Sequence, residues 1–249
     1  MDMSVISSSL AAHWPWVIGL IGVAMASVWA GSASASMRNA KEYFDDPNTA
    51  VLAEAAAKGN EKKVAEAMGR GGQVNARGKT GITPLLYVMA KTLNKEGMRI
   101  LLRHGADPNY ISPSGTGPLI TSAQGKDPEF LAILLDGGGN PNLQNHDGES
   151  AVFLAGQQSR WKNLDLLLKK GGDINARDRS GYTLVMLLTM LAQFDQAEKL
   201  IQQGANTAAV AANGHTLAAI LEDRLTMLPP QSPQYTAAIQ LKKALKKRP

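Results

Sequence analysis

Glycines recur along this chain at a nearly constant interval of 33 or 34 residues. A first series consists of Gly81, Gly115, Gly148, Gly181 and Gly214, and a second of Gly71, Gly105, Gly138, Gly171 and Gly204. An asparagine series, Asn75, Asn109, Asn142 and Asn175, keeps the same spacing. Three registers at one period indicate repeated units that cannot bury their apolar faces alone. Such units stack into a solenoid.

Each register has a physical role within the repeat. The second glycine series follows apolar segments such as 99–104, where glycine adopts the left-handed conformation that ends a helix. The asparagines follow at the turn, and we expect their side chains to bond to nearby backbone. The first glycine series marks hairpin tips that precede a helix start. Leu101 and Leu102, in the segment before Gly105, are both expected to be buried where repeats stack.

Two motifs carry a resemblance to a known family. The segments Gly81-Ile82-Thr83-Pro84-Leu85 and Gly105-Ala106-Asp107-Pro108-Asn109 resemble the G-x-T-P-L opening and G-A-D-x-N closing of ankyrin repeats. The resemblance covers about residues 48–225 and implies an all-α solenoid with short β-hairpin loops, of about five to six repeats including caps. The family's histidine after T-P-L is absent, with Leu86, Ile120, Phe153, Met186 and Ala219 in its place. We expect apolar packing to replace its hydrogen bonds.

The first 35 residues resemble a secretory signal. Residues 14–30 carry no charge, and the small residues Ala33-Ser34-Ala35 follow them, as at a signal peptidase site. The sequence therefore predicts a signal peptide over 1–35, a linker over 36–48 and a repeat domain over 49–249, whose C-terminal helical cap spans about 217–249. Export of the chain would place it in the periplasm.

The charges flanking the apolar run leave two alternatives open. The residues before it include Asp2 and no Lys or Arg, whereas Arg38 and Lys41 follow it. This distribution opposes the positive-inside tendency of a signal peptide. A leader retained as an inner-membrane anchor and a cytosolic protein therefore remain alternatives.

Composition excludes several kinds of site. The chain has no cysteine, so disulfides, thiolate–metal sites and a cysteine nucleophile are excluded. The formal net charge is +5. Five of the basic residues lie at the C-terminus, namely Lys242, Lys243, Lys246, Lys247 and Arg248. Because the rest of the chain is nearly neutral, no basic face indicates nucleic-acid binding.

No pattern of catalytic or ligating residues is present in the sequence. None of the histidines His13, His104, His146 and His215 has a second histidine at the i+3 or i+4 spacing of a helical metal site. Asp107 and Glu149 lie three residues after His104 and His146, but a turn glycine intervenes in each case, so neither pair is on a helix. The sequence contains no phosphate-binding loop and no G-x-S-x-G nucleophile motif. We therefore expect a protein that is not an enzyme, with no cofactor, no metal and no small-molecule substrate.

The hairpin tips are the candidate binding surface, because repeat proteins bind partners through such exposed surfaces. The candidate protein-binding residues are Lys79, Ile82, His146, Glu149, Arg179, Tyr182 and His215. Arg and Tyr side chains dominate the energetics of many interfaces, so we expect Arg179 and Tyr182 to contribute most. We also expect stacking to bring His146, Arg179 and Tyr182 onto one edge.

The N-terminal segment from Lys41 to Asn60 is similar to that of exported bacterial ankyrin proteins. These include immunity proteins to type VI secretion phospholipase effectors. The resemblance implies a periplasmic protein that binds such a lipase and sterically blocks it. One alternative is a periplasmic ankyrin protein supporting an oxidative-stress enzyme such as catalase. Another is a membrane-anchored scaffold, which requires that the leader be retained.

Overall fold

The computed structural model describes residues 39–246, and the segment assigned to the signal peptide lies outside them. Twelve α-helices follow one another as six pairs, which we call repeats 1 to 6: α1 (Pro47–Ala57) and α2 (Glu61–Gly69), α3 (Pro84–Lys91) and α4 (Lys95–Arg103), α5 (Pro118–Gln124) and α6 (Pro128–Asp136), α7 (Ala151–Gln157) and α8 (Trp161–Lys169), α9 (Leu184–Met190) and α10 (Phe194–Gln202), α11 (Leu217–Met227) and α12 (Pro233–Lys246). Short 3₁₀ turns lie at Ala40–Glu42 and Lys79–Gly81.

The pairs stack as a solenoid of two helix layers. The first helix of each repeat packs against the first helix of the next, and the second helices do the same between repeats 2 and 3, 3 and 4, and 5 and 6. Between repeats the chain makes a hairpin, closed in the later repeats by single antiparallel bridges such as Arg177–Thr183. The all-α repeat architecture is confirmed.

Helix starts follow the capping chemistry of the sequence. The Thr83 hydroxyl accepts a hydrogen bond from Leu86 N at 3.3 Å, and Ser150 Oγ accepts one from Phe153 N at 3.1 Å. Each bond satisfies a backbone donor that the first helical turn leaves without a partner. The predicted cap at Thr83 is therefore confirmed.

The asparagine series acts between repeats and not within its own turn. Asn109 Nδ2 donates to Gly138 O at 3.1 Å, and its Oδ1 accepts from Asn140 N at 2.6 Å. Asn75 and Asn142 make the same pair of bonds to the turn that closes the following repeat. The expectation of a bond to nearby backbone was wrong, because stacking places the closing turn of the next repeat within hydrogen-bond distance of the asparagine side chain.

Apolar side chains fill the interface where the family's histidine is missing. Ile120, Phe153 and Met186 are at most 2% exposed. Leu86 is half-buried, and Ala219 is exposed on repeat 6, the last helix pair. Apolar packing thus replaces the histidine at the three central positions, as expected.

Leu101 and Leu102 differ in burial. Leu101 is fully buried, whereas Leu102 is half-buried. Leu102 lies over Gly137 of the next repeat, where an added Cβ would come within 2.8 Å of Leu102 Cδ1. Leu102 therefore lies where the repeats stack, as expected, but the expectation that it is buried was wrong, and Leu101 is the core residue.

Both ends of the repeat domain are packed helical structures. In the segment 36–48 that we expected to be a linker, Ala40 and Phe44 are at most 3% exposed. Ala40 N also donates to Glu54 Oε1 at 3.0 Å, which fixes this segment to α1. At the other end, the prolines interrupt the predicted cap between α11 and α12. Helix α12 resumes at Pro233, because proline is tolerated in a first helical turn.

Candidate functional site

The candidate site is the row of hairpins between repeats, which we call the tip edge: residues 78–82, 112–116, 145–149, 178–182 and 211–215. Side-chain oxygens organise the later hairpins. Asn145 Oδ1 accepts from Asp147 N and Glu149 N, and Asp178 Oδ1 accepts from Ser180 N and Tyr182 N, at 2.8–3.0 Å. Asx side chains stabilise tight turns in this way.

Lys79 and Ile82 lie on the first hairpin of the tip edge. Lys79 is exposed, and its Nζ lies 3.8 Å from Asp45 Oδ1. Ile82 is half-buried, and its carbonyl accepts from Gly78 N at 2.8 Å. The hairpin 112–116 separates these two residues from the other candidates, so they do not join the group that forms farther along.

His146 and Glu149 lie on the hairpin before repeat 4. His146 is exposed. Glu149 is half-buried, and its Oε2 accepts from Asn145 Nδ2 at 3.0 Å. The Glu149 carboxylate is therefore held within its own hairpin, while His146 faces solvent.

Arg179 links its hairpin to the preceding one. Its Nη2 donates to the His146 carbonyl at 2.8 Å and lies 3.5 Å from Asp147 Oδ1. The side chain is nevertheless 71% exposed. Stacking thus brings Arg179 and His146 together, as the sequence predicts.

Tyr182 links its hairpin to the following one. Its hydroxyl lies 2.7 Å from His215 Nδ1 and accepts a hydrogen bond from Asn213 Nδ2 at 2.8 Å. The rings of Tyr182 and His215 meet edge to face, with centroids 6.1 Å apart. Three consecutive hairpins therefore carry one connected group, which runs from His146 through Arg179 and Tyr182 to His215.

Sequence reasoning missed the residues that hold these side chains. Asn145 and Asp178 each lie three residues before a tip glycine, a position that could have identified them as turn residues. Burial raises the pKa of the Asp178 carboxyl above its usual range, although the backbone N–H groups around it act in the opposite direction. Asn213 gave no such signal, because its contact with Tyr182 depends on stacking.

Charges on the second-helix layer are paired between repeats. Glu61 pairs with Arg103, Glu129 with Arg99, Asp136 with Lys170 and Asp165 with Lys199, each at 2.9–3.0 Å. These pairs are largely exposed, and such pairs contribute little individually to stability. They show, however, that many charges of this layer already have partners within the chain.

A partly buried cluster joins the first two repeats and the segment before them. Glu54 Oε1 accepts from Ala40 N at 3.0 Å, from Lys91 Nζ at 2.7 Å and from the Tyr87 hydroxyl. Burial acts to raise the pKa of Glu54, but the hydrogen bonds from Lys91, Tyr87 and Ala40 together hold it below its usual value. Burial and the Glu54 carboxylate raise the pKa of Tyr87 far above its ordinary range. Every polar group in this arrangement has a structural partner. The cluster therefore holds the N-terminal cap, which consists of the segment 39–46 and repeat 1, against repeat 2.

Within residues 39–246 no group of three or more histidine, aspartate or glutamate side chains is placed to hold a metal ion. In the same part of the chain, no helix combines the length and apolar character needed to cross a membrane. The apolar run 14–30 lies outside the described residues.

Comparisons with known proteins identify the fold. The sequence matches no protein-family model and no curated protein. Among solved structures, the ankyrin repeat protein EF0377 is 24% identical, with a TM-score of 0.64 over 81% of this chain and 98% of its own. The ankyrin repeat domain of Bcl-3, a member of the IκB family, is 22% identical, with a TM-score of 0.66 over 78% of this chain and 85% of its own. A third, from Acinetobacter baumannii, is 19% identical, with a TM-score of 0.62 over 77% of this chain and 97% of its own. The chain therefore has the ankyrin-repeat fold.

Proposed function

We propose that this chain is a protein-binding module and that its binding surface is the tip edge from His146 to His215. The observation that carries the proposal is the connected group on three consecutive hairpins, in which Arg179 bonds to the hairpin before it and Tyr182 to the hairpin after it. Large side chains fixed by their neighbours lose little conformational entropy on binding. Arg and Tyr are also the residue types that dominate interface energies.

We infer further that the chain is a periplasmic immunity protein that blocks a type VI secretion lipase effector. The support is the resemblance of residues 41–60 to exported bacterial ankyrin proteins, together with the signal-like segment over 1–35. Inhibition then requires only that a preformed surface cover the entrance to the lipase active site. No chemistry by this chain is needed.

The direct test first examines the genes beside this one, where the immunity role predicts a phospholipase, and then mixes that phospholipase with the purified chain; a neighbourhood without such a gene would contradict the immunity role. We expect a stable complex by size-exclusion chromatography and stoichiometric loss of phospholipid hydrolysis. A lipase that neither binds nor loses activity would exclude the immunity role. Binding to a periplasmic catalase instead, in the same assay, would favour support of an oxidative-stress enzyme.

Export is tested separately by sequencing the N-terminus of the protein recovered from a Gram-negative periplasmic extract. We expect the mature chain to begin at Ser34 or Ser36, after the small residues that follow the apolar run. Intact Met1 in the cytosolic fraction would contradict export. Intact Met1 in the membrane fraction would indicate the anchored scaffold.

A further inference from the structure

We propose that Asn213 and His215 are positioning residues, which hold Tyr182 ready to contact the partner through its ring. The inference rests on the proposed function, since it concerns the same tip edge. It also reassigns His215, which the sequence suggested as a contact residue. Both positioning residues belong to the hairpin 211–215. This hairpin therefore contributes to the binding surface and also leads into the C-terminal helical cap.

The hydrogen-bond geometry determines the role of the His215 ring. Nδ1 lies 2.7 Å from the Tyr182 hydroxyl and 3.1 Å from Asn213 Nδ2. An amide nitrogen is only a donor, so a hydrogen on Nδ1 would set two donors against each other across 3.1 Å, and Nδ1 therefore carries its lone pair. With Nδ1 as acceptor, the Tyr182 hydroxyl donates its hydrogen to His215, and its oxygen accepts from Asn213.

This arrangement fixes what Tyr182 offers to a partner. Its one hydroxyl hydrogen is already used within the protein, so it is not available to an acceptor on the partner. The half-buried ring remains as the contact surface. Next to it, Arg179 is 71% exposed and contacts the preceding hairpin through Nη2. The partner that fits this edge places an apolar side chain on the Tyr182 ring and a carboxylate near Arg179.

The hydrogen bonds to the Tyr182 hydroxyl also reduce the entropy that the ring loses on binding. A side chain already held in one rotamer costs less to immobilise than a mobile one. Loss of either hydrogen-bond partner therefore weakens binding without removing a contact. Replacing a contact residue, by contrast, removes an interaction with the partner itself.

The binding test measures the affinity for the neighbouring phospholipase across four variants. We expect Tyr182→Phe and His215→Ala each to weaken binding by about threefold to tenfold. The double variant, Tyr182→Phe with His215→Ala, should have the same affinity as whichever single variant binds less tightly. The losses do not add, because both changes remove the same hydrogen bond. His215→Asn, whose Oδ1 can accept in place of Nδ1, should retain wild-type affinity. Additive losses, or no retention by His215→Asn, would show that the imidazole contacts the partner itself and would overturn the inference.

A second measurement needs no partner. Relaxation of the Tyr182 ring in the ¹³C-tyrosine-labelled full chain, assigned by comparison with Tyr182→Phe, reports the order of the ring. We expect it to fall in His215→Ala but not in His215→Asn or in Lys162→Ala, a control on the exposed surface of α8. Unchanged ring order in His215→Ala would refute the positioning role whatever the lipase does. If no lipase binds but the ring loosens as expected, the proposed function fails and the positioning of Tyr182 stands.

Discussion

At the scale of single residues, left-handed backbone conformations occur where the sequence has no glycine. Gly59, between the two helices of repeat 1, has φ of 69°. The residues at the same place in repeats 2 and 5 are Leu93, with φ of 53°, and Ala192, with φ of 56°. A non-glycine residue in this region costs free energy, because its Cβ crowds the backbone.

Replacing Ala192 by glycine should therefore stabilise the protein. We expect Ala192→Gly to raise the free energy of unfolding by about 0.5–1 kcal/mol, since relief of backbone strain exceeds the entropy gained by the unfolded chain. Urea titration followed by circular dichroism measures the change. The matched control is Gly59→Ala, which should destabilise the protein by a similar amount. A lower midpoint for Ala192→Gly would show that this turn is not strained.

Differences in burial and capping predict how much three substitutions in repeat 2 lower the free energy of unfolding. Leu101→Ala removes a fully buried side chain and should cost about 2–5 kcal/mol. Thr83→Ala removes a helix cap and should cost about 1 kcal/mol. Leu102→Ala should cost clearly less than Leu101→Ala, because Leu102 remains half-buried. Denaturant titration of the three variants gives the ranking, and a larger loss for Leu102→Ala would contradict the packing described here.

At the scale of elements, hydrogen bonds between repeats recur in three places. The asparagine series joins successive closing turns, the ion pairs join successive second helices, and the tip edge joins successive hairpins. The asparagine series ends at Ala208, the residue that follows Asn175 in the repeat register. Ala208 has no side-chain amide, so the closing turn of repeat 5 lacks the bonds that Asn75, Asn109 and Asn142 make from theirs. The series is thus interrupted by loss of the bonding side chain.

The cluster around Glu54 gives the N-terminal cap a dependence on pH. Since the pKa of Glu54 is lower in the folded chain than in the unfolded one, its contribution to stability is present above its ordinary pKa of about 4.3. That contribution is lost as the pH falls through the lower, folded value. Wild-type protein should therefore lose more stability than Glu54→Gln between about pH 5 and pH 3.

At neutral pH the Glu54→Gln variant should itself be less stable by about 1–3 kcal/mol, because Lys91 loses its ionic partner. Urea titrations at several pH values measure both effects. Glu66→Gln, on the exposed surface of α2, is the matched control and should follow the wild-type pH dependence. Parallel pH curves for wild type and Glu54→Gln would contradict the role of this carboxylate.

At the scale of the whole molecule, the tip edge should account for most of the binding energy. We expect Arg179→Ala combined with Tyr182→Ala to weaken binding to the partner by at least tenfold, or about 1.4 kcal/mol, because interface energy concentrates in a few large side chains. Competition with the wild-type chain for the proposed phospholipase partner measures the loss, and circular dichroism confirms folding.

The control for this double variant comes from the opposite side of a repeat. Lys170 is unsuitable, since it pairs with Asp136 of the preceding repeat at 2.9 Å. Lys162, exposed in helix α8, is the better choice, and Lys162→Ala should bind like the wild type. Full affinity of the double variant, with loss of affinity in Lys162→Ala, would place the binding face on the second-helix layer.

The sequence alone determined the repeat, its period, the helix starts at residues such as Thr83 and the positions of the hairpins. These follow from local chemistry, because glycine conformation, capping and proline act within a few residues of chain. Tertiary structure alone decided that Leu101 and not Leu102 is buried, that Asn109 bonds to the next repeat, and that residues 40–44 pack on α1. It also decided that His215 meets Tyr182, which lies 33 residues away. Contacts of this kind depend on how far one repeat is displaced and rotated on the next, and no single repeat carries that information.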